Sequence, residues 1–294
     1  MTKQGKRTMF RRLTVGCLLT VPLITYATPP IDYYTEARGK SGEELKVALH
    51  SILDGHLALR YTESGNDNWQ DGQNIDVWEA LTYTDAACEH DGFDCDEVVL
   101  LYTGNIVSVD TANRGSGGHD TWEREHVWPK SRSFKKPSQD GYTDLHHLRP
   151  ADRNINNAHS NLGYNVGGES LFDKKSDGTK VRTEAKKDKA QSSFEPPDRA
   201  KGQVARMLFY MAVRYEETDN TPDEKMGDLQ LIHGNQITKE GKIGDLCTLL
   251  EWHHTFGPTD FERRRNDRVA IIQGNRNPFI DEPGWAQLIW GHQC

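Results

Sequence analysis

The sequence of 294 residues predicts an α+β fold in a single mixed domain, and three observations lead there. Helical and strand patterns both occur. They do not alternate in the regular β-α order of a parallel sheet, and no internal repeat or second hydrophobic unit marks a boundary. The first helix is expected from Ser41-Gly-Glu-Glu44, which has capping-box form, with Leu45, Ala48, Leu49, Ile52 and Leu53 following at helical spacing up to Gly55. Val98-Val99-Leu100-Leu101-Tyr102 reads as a buried strand ending before Thr103-Gly104-Asn105. Residues 123–128 are expected to be extended, with Pro129 ending the pairing, and a second extended piece covers 145–148. A helix then starts within 152–158, with Pro150 near its entrance. Residues 167–201, rich in Lys, Asp, Ser and Gly, predict a long surface loop. Val204, Met207, Leu208, Met211 and Tyr215 recur at helical steps and predict an amphipathic helix whose methionines fill the core.

The N-terminus carries Lys3, Lys6, Arg7, Arg11 and Arg12, an apolar run from Leu13 to Ile24, and Thr25-Tyr26-Ala27. This is the pattern of a secretory signal peptide over 1–27, leaving a catalytic domain of 28–294 with no membrane anchor. The run is interrupted by Pro22 and falls short of the ~18–20 apolar residues a membrane span needs. Cys17 lacks the residues that precede a lipidated cysteine. The remaining Cys88, Cys95, Cys247 and Cys294 form an even set in a chain bound for an oxidising compartment, periplasmic or extracellular, so disulfides are expected. Four cysteines allow three connectivities, and the spacing favours Cys88–Cys95 with Cys247–Cys294. Zinc is the rival reading, against which stands the lack of any Cys-x-x-Cys.

The formal net charge is −8, and loss of the five basic leader residues makes the mature chain more acidic still. Such a chain repels a polyanion overall, so a nucleic-acid partner requires a local basic groove. Two clusters qualify, Lys130, Arg132, Lys135 and Lys136, and Arg263-Arg264-Arg265, although a charge run is more commonly solvated surface.

The chemistry concentrates in Glu125-His126 and, some thirty residues later, in 144–156. A carboxylate beside an imidazole pairs a hard-metal ligand with a base able to take a proton from water, and Asn156 offers a second ligand. Hydrolysing a phosphodiester near neutral pH needs these parts, so a nuclease is the first hypothesis. His146 and His147 alternate across any strand, so one of them can support the site, with Asp144 orienting it. Trp252-His253-His254 suggests zinc, but no helical His-Glu-x-x-His accompanies it and a structural role is favoured. Residues 274–278 have turn chemistry. Residues 67–72 resemble a calcium loop, but Trp69 and Trp78 fall where oxygen ligands belong.

Residues 124–131 (Arg-Glu-His-Val-Trp-Pro-Lys-Ser), 144–152 (Asp-Leu-His-His-Leu-Arg-Pro-Ala-Asp) and 274–281 (Gly-Asn-Arg-Asn-Pro-Phe-Ile-Asp) resemble the bacterial endonuclease I family of periplasmic and extracellular nucleases. Tyr33-Tyr34, Trp78-Glu79-Ala80-Leu81 and Leu101-Tyr102-Thr103-Gly104 extend the likeness over most of the mature chain. The resemblance implies a ββα-metal, or His-Me finger, motif in which His126 is the general base and Glu125 and Asn156 hold Mg²⁺, with Mn²⁺ or Ca²⁺ as substitutes. It implies cleavage that leaves 5′-phosphate and 3′-hydroxyl ends. DNA is the expected substrate, with RNA as a further one because a site that reads phosphate needs neither a base contact nor a 2′-hydroxyl, and a monomer is expected. Arg149 is the expected phosphate clamp, because a guanidinium grips two phosphate oxygens; pairing with a structural carboxylate is its other reading. Arg153 and Arg124 are further clamp candidates. Two alternatives stand beside the nuclease: an exported nucleic-acid-binding protein with a structural metal site, and a secreted zinc hydrolase using His146, His147, His253 or His254.

Overall fold

Two apolar clusters form in the computed structural model, and the strand pair carrying Glu125 and His126 lies between them. The structure describes residues 29–62, 75–89, 95–115, 117–216, 228–235 and 240–294. The expected leader and the calcium-like segment 67–72 lie outside the described residues. The chain opens with α1 (Gly42–Leu53), α2 (Val77–Thr84) and the hairpin β1 (Glu97–Val99) and β2 (Ile106–Ser108). Next come β3 (Trp122–His126), the single turns α3 (Lys130–Ser133) and α4 (Asp140–Thr143), β4 (Leu148–Asp152) and α5 (Arg153–His159). β5 (Gly163–Tyr164), β6 (Glu169–Lys174), β7 (Lys180–Asp188) and β8 (Ser193–Glu195) make one sheet in the order β5-β8-β7-β6. The long α6 (Asp198–Arg214) follows, then the short parallel pair β9 (Gln230–Leu231) and β10 (Lys242–Ile243). The chain closes with α7 (Leu246–Thr255), α8 (Asp260–Gln273), α9 (Pro278–Asp281) and α10 (Gly284–Trp290). The fold is thus α+β, in one domain. No described helix is long and apolar enough to cross a membrane.

α6 is the axis of the larger cluster. It begins at Asp198, before the predicted start, and is buried on nearly every side rather than on one stripe, as befits a helix enclosed by α1, α7 and α9. α7 approaches so closely that a Cβ at Gly202 would lie 2.0 Å from the Phe256 carbonyl oxygen. The smaller cluster joins α2 and β1 to Trp122, Leu145, Leu148 and the Val269 and Ile272 side chains of α8.

Several elements differ from expectation. Ser41 is the N-cap of α1, yet its side chain makes no capping bond; the formed capping boxes are Asp76 with Glu79 and Thr259 with Glu262. Much of the expected loop 167–201 is the β6–β7–β8 ribbon. Its first two strands bury only Asp173 and Ala185, so no apolar alternation announces them. The second extended piece begins at Leu148 rather than 145, because residues 144–147 form a turn held by a buried carboxylate. Asp144 accepts bonds from the His146 amide (2.8 Å), the Tyr210 and Tyr215 hydroxyls (both 2.8 Å) and the Gln273 amide (2.9 Å). Burial opposes its ionisation, but His56, His146, His147 and Gln273 outweigh that and hold the carboxyl well below the ordinary range. The two disulfides are Cys88–Cys95 and Cys247–Cys294, the favoured pairing.

Arg149 is in this framework and not in an open groove. It is 1% exposed, its Nε donates to Asp85 and its Nη1 to Gln203 (2.7 Å). Asp85 also receives Arg265, whose Nη2 donates to the Leu145 and Leu148 carbonyls, so one carboxylate ties α2, β4 and α8 together. Burial raises the Asp85 pKa and the two guanidiniums more than reverse the effect. The expectation of a phosphate clamp at Arg149 is therefore corrected: the carboxylate wins because both partners are buried, where an unpaired charge is costly.

Two measurements follow from these buried groups. Arg149→Met should lower stability by about 3 kcal/mol or more, the usual cost of breaking a buried ion pair, while leaving KM for nucleic acid near its original value. A raised KM with an unchanged urea midpoint would restore the clamp. His146, His147 and His253 each place Nε2 against a backbone carbonyl, of Asn275, Gly141 and Pro283, and burial pushes each pKa down to about 4. Unfolded histidines titrate near ~6.5, so on acidification the unfolded chain takes up protons first. Stability should be fullest above that value and fall as pH drops towards 4; denaturant midpoints that stay constant between pH 7 and 4.5 would contradict it.

Candidate active site

β3 is bonded to β4 with Glu125 opposite Arg149 and His126 opposite Leu148, and α5 starts directly after β4. Strand alternation sends Glu123 and Glu125 to one face and Arg124 and His126 to the other. All four nevertheless line one cleft of about 570 Å³, together with Tyr61, Lys130 and Asn156 among others. Consecutive strand residues can share a cleft where it runs along the strand's edge, and β3 has β4 as its only named partner among the described strands.

His126 Nε2 lies 2.9 Å from the Tyr142 carbonyl oxygen. A carbonyl only accepts, so Nε2 carries the proton and Nδ1 keeps its lone pair. The ring is packed by Tyr142, His147 and Tyr61 at centroid distances of 5.0, 5.5 and 5.7 Å. Burial first, and His147 second, push its pKa well below the usual imidazole value. The imidazole is neutral near pH 7 and able to accept a proton.

Glu125 is held from the other face. The Tyr102 hydroxyl donates to Oε1 at 2.6 Å and His159 Nδ1 approaches the same oxygen at 2.7 Å. Asn156, on α5, donates from Nδ2 to Glu123 at 3.4 Å, which leaves its carbonyl oxygen for the cleft. Glu123 also accepts from Asn113 (2.5 Å) and from Arg153 Nε (3.1 Å). The structure thus brings Glu125, His126 and Asn156 together as expected and adds Glu123, Tyr102 and His159. Glu123 was signalled by its two-residue offset from Glu125; nothing local signals that Tyr102 or His159 reaches Glu125.

Of the first basic cluster, Lys130 lines the cleft and Lys135 and Lys136 are exposed. Arg132 is buried on the Asn161 and Lys242 carbonyls. Arg124 lines the cleft with its guanidinium over the Tyr61 and Trp78 rings, at 3.4 and 4.2 Å. Arg153 is engaged by Glu123 and the Gly117 carbonyl. In the second cluster Arg265 binds Asp85 and Arg263 donates to the Ile280 carbonyl, and none of its three arginines lines the cleft. Asp144, His146, His147 and His253 serve the core rather than the cleft, and Asn275 and Asn277 of the turn after α8 bond into the core as well.

The described residues also contain one group with metal-ligand spacing elsewhere, His233, Cys247 and Cys294, with ligand atoms within 4.8 Å of one another. Its two sulfurs are joined to each other, and none of the three lines the cleft. In the cleft the donors are carboxylate and amide oxygens, which suit a hard divalent cation; a disulfide offers no thiolate to a soft one.

The family model described as Endonuclease I matches residues 41–284. An extracellular ribonuclease of Bacillus subtilis (strain 168) is 40% identical over 273 residues, covering 92% of this chain and 82% of the relative. A protein of the same name from Bacillus amyloliquefaciens is 40% identical over 267 residues, covering 90% and 80%. Endonuclease-1 of Buchnera aphidicola subsp. Baizongia pistaciae (strain Bp) is 30% identical over 138 residues, 47% of this chain and 46% of the relative. The chain therefore belongs to the endonuclease I family and is an enzyme, a nuclease.

Proposed function

We propose that the protein is an exported, Mg²⁺-dependent endonuclease that hydrolyses phosphodiester bonds in RNA and DNA without sequence preference. The observation that carries the reading is the 2.9 Å contact between His126 Nε2 and the Tyr142 carbonyl, which places the proton on Nε2 and leaves the Nδ1 lone pair on a ring that lines the same cleft as Glu125 and Asn156. β3, β4 and α5 would then form the ββα-metal (His-Me finger) motif. His126 takes a proton from water, the water oxygen attacks phosphorus, and the 3′ oxygen departs, giving 5′-phosphate and 3′-hydroxyl ends. Glu125 and Asn156 hold the cation, with Mn²⁺ or Ca²⁺ as substitutes. When bound, a divalent cation supplies neutralisation of charge on the phosphate and on the departing oxygen. Lys130 and Arg124 line the cleft where the backbone of the substrate would pass. Contacts of this kind read phosphate and not base, hence the lack of sequence preference.

The two relatives named extracellular ribonuclease support RNA as a substrate and export as the destination. In this reading residues 1–27 are the removed leader and 28–294 work as a monomer. A second reading, a zinc hydrolase, has the His233, Cys247 and Cys294 group behind it. It ranks second because Cys247 and Cys294 are bonded to each other. Metal analysis of active protein separates the two: stoichiometric zinc, retained through dialysis and required for turnover, would favour the second.

His126→Ala should lower cleavage of RNA and plasmid by about 10²- to 10⁴-fold, the typical contribution of a positioned base, with an unchanged circular dichroism spectrum. Near-normal turnover would remove His126 from the mechanism. EDTA should abolish activity and Mg²⁺ restore it. In Glu125→Gln the Mg²⁺ concentration needed for half-maximal rate should rise about 10-fold or more; an identical titration curve would contradict the ligand role.

A further inference from the structure

We infer that Tyr102 and His159 make Glu125 a one-oxygen ligand and thereby set the size of cation the cleft accepts, favouring Mg²⁺ over Ca²⁺. The inference rests on the reading of Glu125 as a metal ligand. Each carboxylate oxygen has two lone pairs, and two short bonds converge on Oε1, from the Tyr102 hydroxyl at 2.6 Å and His159 Nδ1 at 2.7 Å. The described bonds of Glu125 all fall on Oε1, which leaves Oε2 for the cleft its side chain lines.

The two donors cannot easily follow a turning carboxylate. Both residues are 0% exposed. The His159 ring is packed by Phe194 and Tyr164 at 4.8 and 4.9 Å. The Tyr102 hydroxyl lies 3.1 Å from that of Tyr164, which in turn donates to the Val127 carbonyl at 3.0 Å, two residues along from Glu125. Offering both oxygens of Glu125 to one ion would break two buried, charge-assisted bonds. Ca²⁺ takes six to eight oxygens and often a bidentate carboxylate, whereas Mg²⁺ takes six, through single oxygens and retained waters. A carboxylate locked on one oxygen therefore costs Ca²⁺ a ligand that Mg²⁺ does not use. Tyr102 and His159 are positioning residues that act through Glu125.

The test is calorimetric titration of the mature protein with MgCl₂ and with CaCl₂, without nucleic acid, on the wild type, Tyr102→Phe, His159→Gln and Glu125→Gln. Tyr102→Phe removes one hydroxyl and keeps the ring, so the fold is retained even if the less conservative His159→Gln does not fold. The expected result is a Ca²⁺-to-Mg²⁺ affinity ratio that rises about tenfold in Tyr102→Phe, within the range that outer-sphere partners of metal ligands exert. An unchanged ratio in Tyr102→Phe, with both metals lost in Glu125→Gln, would overturn the inference and leave the ligand reading intact. Unaltered binding of both metals to Glu125→Gln would instead overturn the ligand reading.

Discussion

The Asp144 carboxylate is the interaction on which most of the structure depends. It sits between α6, α8 and the turn into β4, receiving hydroxyls from Tyr210 and Tyr215, the Gln273 amide and the His146 backbone. A buried carboxylate without these donors would cost several times what any one hydrogen bond contributes, so the turn at 144–147 is fixed by where the donors are. That turn sets where β4 starts, and hence its register on β3. It also fixes α4 just before it, whose Gly141 and Tyr142 carbonyls orient His147 and His126. The site residues inherit their positions from a charge that touches none of them.

Strand alternation does chemical sorting at β3. Placing Glu125 and His126 on one face would let a protonated imidazole donate to the carboxylate, which would raise the imidazole pKa. On opposite faces, Glu125 meets His159 and Tyr102, while His126 meets a backbone carbonyl and aromatic rings. Two buried histidines of one small region thus acquire different characters from their partners: His159 supports an anion, and His126 keeps a lone pair. Beyond the bridge at Trp122, the edge of β3 away from β4 has no described strand partner and lets both faces reach the same cleft.

The candidate site was legible where its residues are local in sequence. Glu125 and His126 are neighbours, Asn156 is on the helix that follows Pro150, and the family likeness carries these residues together. Partners distant in sequence were not legible. Nothing near Arg149 points to Asp85, 64 residues earlier, and nothing near Glu125 points to His159, 34 residues later. Periodicity failed where its physical basis was missing. β6 and β7 bury one side chain each and carry charges on both faces, so they read as a loop. The Leu145–Leu148 stretch looked extended because its apolar ends flank two histidines, but Asp144 folds it into a turn. The disulfides were readable because short spacing limits the choices.

The contact that selects the tautomer of His126 comes from the main chain of Tyr142. Every amino acid supplies a carbonyl at that point, so no single replacement of residue 142 can delete the acceptor; it can only displace it by altering the turn. The orientation of the His126 ring is therefore buffered against genetic drift at its partner, in contrast to a histidine aligned by a carboxylate side chain, which one codon change can release. Residue 142 is left to vary with the demands of its aromatic packing against Tyr61 and His126.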